Sequence, residues 1–127
     1  MGPLSRNVDV NQVVNYPGSH YADPVFSWKN SVAVTGIEFM KSSALGQEYK
    51  NNIFVGDYNN GNLYYFEVNS TRTGIKPAPG LSGLIVANDD QLSAVTFGTY
   101  STLNIKTGPK DGFLYVLSIN DGSIYRL

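Results

Sequence analysis

Apolar residues along this chain come in short runs separated by clusters of turn formers. Val32 to Met40 carries β-branched and aromatic residues, and Ile53 to Val55 and Leu63 to Val68 are two further strand-like runs around Asp57-Tyr58-Asn59-Asn60-Gly61-Asn62. That order predicts a β-hairpin. An Asn-Gly pair supplies the positive φ angles of a primed turn, so the right-handed strand twist continues through it. Phe113 to Leu117 and Ser123 to Leu127 flank Ile119-Asn120-Asp121-Gly122 in the same manner, which predicts a second hairpin with Asp-Gly at its turn.

The two hairpins align. Ile53-Phe54-Val55 lies over Leu114-Tyr115-Val116, and Gly61-Asn62-Leu63-Tyr64 over Gly122-Ser123-Ile124-Tyr125, both at an offset of 61. Each is preceded by another strand candidate, Gly36-Ile37-Glu38-Phe39 in the first unit and Leu103-Asn104-Ile105-Lys106 in the second. Between strand and hairpin the first unit inserts Lys41 to Asn51, long enough for one helical turn, where the second has the compact Gly108-Pro109-Lys110-Asp111-Gly112. A period near sixty with three or four strands per unit predicts an all-β fold made of two β-propeller blades. The first blade is expected at about 32–87, with Gly83 to Ala87 as its outer strand, and the second at about 93–127.

Composition agrees with strands: 13 Gly, 9 Tyr and 6 Phe among 127 residues, 42% of them hydrophobic, fit one domain of short strands and tight turns. Nine Lys and Arg against ten Asp and Glu give a net charge of −1, without a basic stripe to neutralise phosphates, so nucleic acid is not an expected partner. The absence of Cys removes disulfides, thiolate metal sites and a cysteine nucleophile, and leaves the compartment open. The apolar runs are too short to span a membrane, and Met1 to Arg6 lacks the apolar stretch of a signal peptide.

Candidate chemistry is sparse. His20, the single histidine, sits in the turn-like Pro17-Gly18-Ser19-His20-Tyr21 with no nearby acid, and a structural or solvated role is the favoured reading. Asp57-x-Asn59-Asn60-Gly61 has hard oxygen ligands but neither the alternating acids nor the closing Glu of a Ca²⁺ loop, so a turn explains it better. Asn69-Ser70-Thr71 fits a glycosylation acceptor, a pattern short enough to arise by chance. Aromatic and amide side chains are what a sugar site uses, which makes Tyr58, Asn59, Asn60, His20, Trp28, Asn120 and Asp121 the ligand-binding candidates. No catalytic residue and no metal ligand is assigned.

Three stretches carry a resemblance: Tyr21-Ala22-Asp23-Pro24-Val25-Phe26-Ser27-Trp28, Asn52 to Val68, and Leu103 to Leu127. They resemble, respectively, an Asp-Pro-x-Phe-x-Trp-type segment, a strand, Gly-containing turn and strand, and the closing D-I-x-x-G-P-D-G-x-L-Y-V…G-x-I-Y-R-I pattern of the glucose/sorbosone dehydrogenase family. These are six-bladed propellers, many of them dependent on pyrroloquinoline quinone (PQQ) and calcium and often exported. The likeness runs from about Tyr16 to Leu127, corresponding to the last third of a full-length member. Gly-Pro-Asp-Gly is here Gly108-Pro109-Lys110-Asp111-Gly112, one residue longer. The family's catalytic His, its Asp partner and the Ca²⁺ ligands lie in earlier blades. Where basic residues would reach the quinone, this chain has Asn59 and Ser101 to Leu103, and the family's Asp is Asn104.

The resemblance therefore implies a degenerate, non-catalytic propeller module without PQQ or calcium, binding a carbohydrate or other small polar ligand at the ring mouth. The alternative is a PQQ-dependent sugar dehydrogenase or a fragment of one. Two blades cannot close a ring and would leave the outer faces of both exposed. Three copies would supply the family's six blades, so a homotrimer is expected. Asn7 to Val14 alternates like a strand and is expected to seal the open edge of the second blade, which ends directly after its hairpin.

Overall fold

The computed structural model describes residue 14, residues 16–20 and residues 22–127. Its elements are β1 (Ser27–Trp28), β2 (Val34–Phe39), β3 (Ile53–Asp57), β4 (Asn62–Phe66), β5 (Ile85–Val86), β6 (Thr96–Thr99), β7 (Thr102–Thr107), β8 (Leu114–Ser118) and β9 (Ile124–Arg126), with 3₁₀ turns at Gln47–Tyr49 and Asp89–Ala94. Among the described residues the regular structure is mostly strand, with only short 3₁₀ turns beside it, as the pattern predicts. The strands form a four-stranded sheet in the order β2-β3-β4-β6, a three-stranded sheet β7-β8-β9, and the pair β1-β5. The N-terminal strand expected at Asn7 to Val14 lies outside the described residues except for Val14, which is exposed and outside any strand.

Both predicted hairpins form. Tyr58 to Gly61 separate β3 from β4, and Ile119 to Gly122 are the four residues closed by the Ser118 N–H on the Ser123 carbonyl at 2.9 Å. The turn type differs from expectation: Gly61 (φ 70°) and Gly122 (φ 66°) are left-handed, but Asn60 and Asp121 are not, so neither turn is primed. With four loop residues, one left-handed glycine at the end suffices to return the strand, and the preceding Asn or Asp escapes the strain of a positive φ.

The sheets are equivalent position by position. Val34, Gly36, Ile37, Glu38 and Phe39 face Asp57, Gly56, Val55, Phe54 and Ile53, while Thr102, Asn104, Ile105, Lys106 and Thr107 face Ser118, Leu117, Val116, Tyr115 and Leu114. Both ladders carry a bulge at the same place, after Val34 and after Thr102. Ile37 therefore corresponds to Ile105, Glu38 to Lys106, and Leu63 to Ile124.

The outer strand of the first sheet is corrected. Thr96–Thr99 takes that place beside β4, whereas Ile85–Val86 runs parallel to Ser27–Trp28. Phe97 decides it: its ring lies 5.2 Å from that of Phe54 and 5.5 Å from that of Tyr49 in the core between the sheets. Leu84 and Ile85 remain exposed and have no such anchor.

That core joins the sheets face to face through Met40, Phe54, Leu63, Ile105, Leu114 and Val116. Strands β2 and β7 make the closest approach. Thr35 Oγ1 donates to the Thr102 carbonyl at 2.8 Å, the Thr107 N–H donates to Glu38 Oε1 at 3.1 Å, and Lys106 Nζ lies 3.5 Å from Glu38 Oε2. Gly56 permits this, since a Cβ there would sit 2.5 Å from Thr102 Cγ2.

A second core covers the opposite face of β3 and β4, where Val55, Tyr64 and Phe66 pack with Val86, Val95, Phe26 and Trp28. The expectation that both outer faces stay bare is corrected on this flank. The chain folds its own β1-β5 layer over the first sheet, because Phe26, Trp28 and Val86 bury more apolar area there than they would in solvent. On β2 the cover is incomplete, and Val34, Ile37 and Phe39 stay exposed. The second sheet keeps an open face bearing Tyr115, Leu117 and Ile124.

Candidate functional site

The loop of the first hairpin is held from beneath by a fully buried carboxylate. Asp57 Oδ1 accepts the N–H groups of Ala33 and Asn59, both at 2.9 Å, and Oδ2 accepts Asn60 Nδ2 at 2.8 Å and Tyr64 Oη at 2.7 Å. Burial alone pushes this carboxyl up. The hydrogen bonds from Tyr64, Asn60, Ala33 and Asn59 outweigh it and hold the group below the ordinary range. Burial and the hydrogen bond to Asp57 push the Tyr64 hydroxyl up to about 12, so it stays a donor. With four protein donors on its two oxygens, the carboxylate is a structural anchor and offers little to a cation.

Above this anchor, a cleft of about 140 Å³ lies between the hairpin loop and the β1-β5 layer. Asn59 and Asn60 come from the loop, Trp28 and Asn30 from the end of β1 and the residues after it, and Asp89 and Leu92 from the second 3₁₀ turn. Asn30 Nδ2 donates to Asp89 Oδ1 at 2.9 Å and Asn59 Nδ2 to the Ser31 carbonyl at 3.3 Å, which ties the three segments together. The Trp28 ring packs 5.4 Å from that of Tyr64 and 4.8 Å from that of Phe26, and its buried indole N–H has no hydrogen-bond partner among the described residues. The lining is one aromatic wall, amide groups that both donate and accept, and one carboxylate. It suits hydrogen bonding to a small polar molecule rather than proton transfer or nucleophilic attack.

Of the seven sequence candidates, Trp28, Asn59 and Asn60 meet in this cleft. The others do not join them. Tyr58 points to solvent, half exposed. Asn120 donates to Ser101 Oγ at 2.7 Å, and Asp121 accepts the Tyr125 hydroxyl and the Ser123 N–H within the second hairpin. His20 is exposed, next to a turn closed by the Ser19 N–H on the Tyr16 carbonyl. Sequence reasoning missed Asn30, Asp89 and Leu92. Asn88-Asp89 carries a signal, but one that reads as a helix start: Asn88 Oδ1 caps the turn by accepting the Gln91 N–H at 3.2 Å.

Two exposed carboxylates repeat the Asp57 device in reduced form. Hydrogen bonds from Ser118 and Tyr125 lower Asp121 to about 2, and the Tyr115 hydroxyl, 2.6 Å from Asp111, holds that carboxyl low. In each the acid opens a turn and the tyrosine four residues later locks it. Among the described residues no group of three or more His, Cys, Asp or Glu could hold a metal ion, and no helix is long and apolar enough to cross a membrane. Thr102, at one of the positions that the dehydrogenase likeness would give to quinone contacts, is fully buried between the sheets.

No protein-family model, no curated protein and no solved structure matches the chain.

Proposed function

We propose that this chain is a non-catalytic module of β-propeller type, its two face-to-face sheets acting as successive blades and its Trp28–Asn60 cleft taking a carbohydrate or other small polar ligand. The reading rests above all on the register equivalence of the sheets, which pack with corresponding strands β2 and β7 nearest one another, as neighbouring blades do around an axis. The dehydrogenase likeness of Asn52 to Val68 and Leu103 to Leu127 supports the same architecture, and three copies would complete six blades. The ligand class follows from the cleft. Trp28 as an aromatic wall, three amides and a carboxylate around a cleft of about 140 Å³ suit a small hydroxyl-rich ring.

Trp28 is the single tryptophan, so its fluorescence reports on the cleft directly. Titration with a panel of mono- and disaccharides should give a saturable change that Asn60→Ala weakens at least tenfold. Lack of any saturable response across the panel overturns the ligand assignment. Sugar-dependent dye reduction after addition of PQQ and Ca²⁺ overturns the non-catalytic one.

A further inference from the structure

The two sheets differ in what covers them, and the difference falls on corresponding positions. Ile105 is 1% exposed because the first sheet lies on it, whereas its counterpart Ile37 is 59% exposed. Leu63 is 0% exposed because the second sheet lies on it, whereas its counterpart Ile124 is 67% exposed. Thr102 is fully buried against Gly56, and their counterparts Val34 and Leu117 both carry apolar side chains on uncovered surface. The exposed face of the second sheet thus repeats the face that the first sheet already buries, and the exposed β2 edge of the first repeats the β7 part of the surface that the second already buries, while Ile53 and Val55, the counterparts of Leu114 and Val116, lie under the β1-β5 layer.

From this we infer that the open face of the second sheet docks on the β2 edge of another copy, head to tail, in the register of the contact inside the chain. The inference rests on the blade reading above. Leu117 then meets Val34 of the next copy as Gly56 meets Thr102 within one chain. Tyr115 and Ile124 lie toward the outside of the next copy's β1-β5 layer, where Val25, Leu84 and Ile85 are exposed. Charge selects the same register. Glu38 and Lys106 occupy corresponding positions and pair across the intrachain contact at 3.5 Å, so repeating the step brings Lys106 beside the next copy's Glu38. A shift along the strands would lose that alternation of sign. The contact joins two different surfaces, so each copy keeps one of each to offer until the ring closes.

A complementation experiment tests this on the full chain. Ile37→Glu disables the edge and Ile124→Glu the face; both side chains are exposed within a single copy, so circular dichroism and Trp28 fluorescence should match the parent protein. Light scattering should give an oligomer for the parent, monomers for each variant alone, and a dimer for the equimolar mixture, which retains one competent pair of surfaces. An isologous contact of the face with itself or of the edge with itself cannot produce that pattern. A monomeric parent at tens of micromolar overturns the assembly and the blade reading with it. An oligomeric parent whose variants keep its mass, or whose mixture stays monomeric, overturns this register alone.

Discussion

Replacing Asp57 by Asn tests whether the first hairpin depends on a buried charge. The substitution preserves shape and removes only the negative charge and one acceptor. Every group around the carboxylate is a donor: two backbone N–H groups on Oδ1, the Asn60 amide and the Tyr64 hydroxyl on Oδ2. An amide can present its oxygen to one pair, and its NH₂ then faces the other. Hydrogen bonds to a charged group contribute roughly 1.5–3 kcal/mol each, and part of the loss at the second pair is recovered if the tyrosine hydroxyl turns to accept, which leaves a cost of about 2–4 kcal/mol. At a urea dependence of about 1–3 kcal/mol per M the unfolding midpoint should fall by about 1–2 M. Trp28, 5.4 Å from Tyr64, reports the transition, read at one fixed protein concentration because the proposed self-association would add stability. Tyr64→Phe should cost about 1.5–3 kcal/mol, and the double variant less than the sum of the two. Because the folded carboxyl is held below its unfolded value, its stabilisation is complete above the unfolded pKa of about 3.9 and is lost as pH falls through the lower folded value. Asp57→Asn should therefore flatten the stability profile below about pH 4. A midpoint unchanged to within about 0.5 kcal/mol, or an undiminished acid slope, would refute the anchoring role.

Three further outcomes follow from particular contacts. Gly56→Ala should destabilise by about 1–3 kcal/mol in urea melts because its Cβ falls 2.5 Å from Thr102 Cγ2, and Thr102→Ser, which removes that methyl, should restore most of the loss. Thr102→Val should raise stability by about 1 kcal/mol, since the buried Thr102 hydroxyl has no partner among the described residues; a loss of similar size would refute this. Asp121 is lowered to about 2 by hydrogen bonds from Ser118 and Tyr125, so the lock on the second hairpin should hold above pH 4 and loosen as pH falls toward 2, seen as lost protection of the Ser123 amide relative to its intrinsic exchange rate, at a higher pH in Tyr125→Phe.

What could be read in advance divides along local and non-local lines. The hairpins and their 61-residue repeat were legible because turn residues and alternation act within a few positions. The turn type was not, since Asn-Gly serves a primed pair or a longer loop equally well, and the loop length is set where the strands stop pairing. The outer strand was misplaced for a similar reason: Gly83 to Ala87 and Thr96 to Thr99 are comparable as strands, and Phe97 decides between them by reaching a core built from Tyr49 and Phe54, far away in sequence. In the cleft, Trp28, Asn59 and Asn60 stood out as residue types suited to a polar ligand. Asn30 and Asp89 did not, because their pairing spans 59 residues and no local pattern announces it.

The places where the two sheets depart from one another distinguish the contact made within the chain from the one proposed between chains. Inside the chain, glycine stands at Gly36 and Gly56, and the sheets approach until the Asn104 backbone and the Thr102 methyl would touch a Cβ. The corresponding positions on the open face are Asn104 and Leu117, which cannot allow so close an approach. A contact built on glycine is tight and forms as the chain folds, its sheets already tethered by the segment from β6 to β7. The proposed one, built on Leu117 and Val34, would stand further apart and rely on side-chain apolar area, as surfaces that meet from separate molecules do. A ring of such chains would alternate close and wide joints, and the wide joints should part first on dilution. The Glu38–Lys106 pair within each chain should survive that dilution, because its partners never leave the same polypeptide.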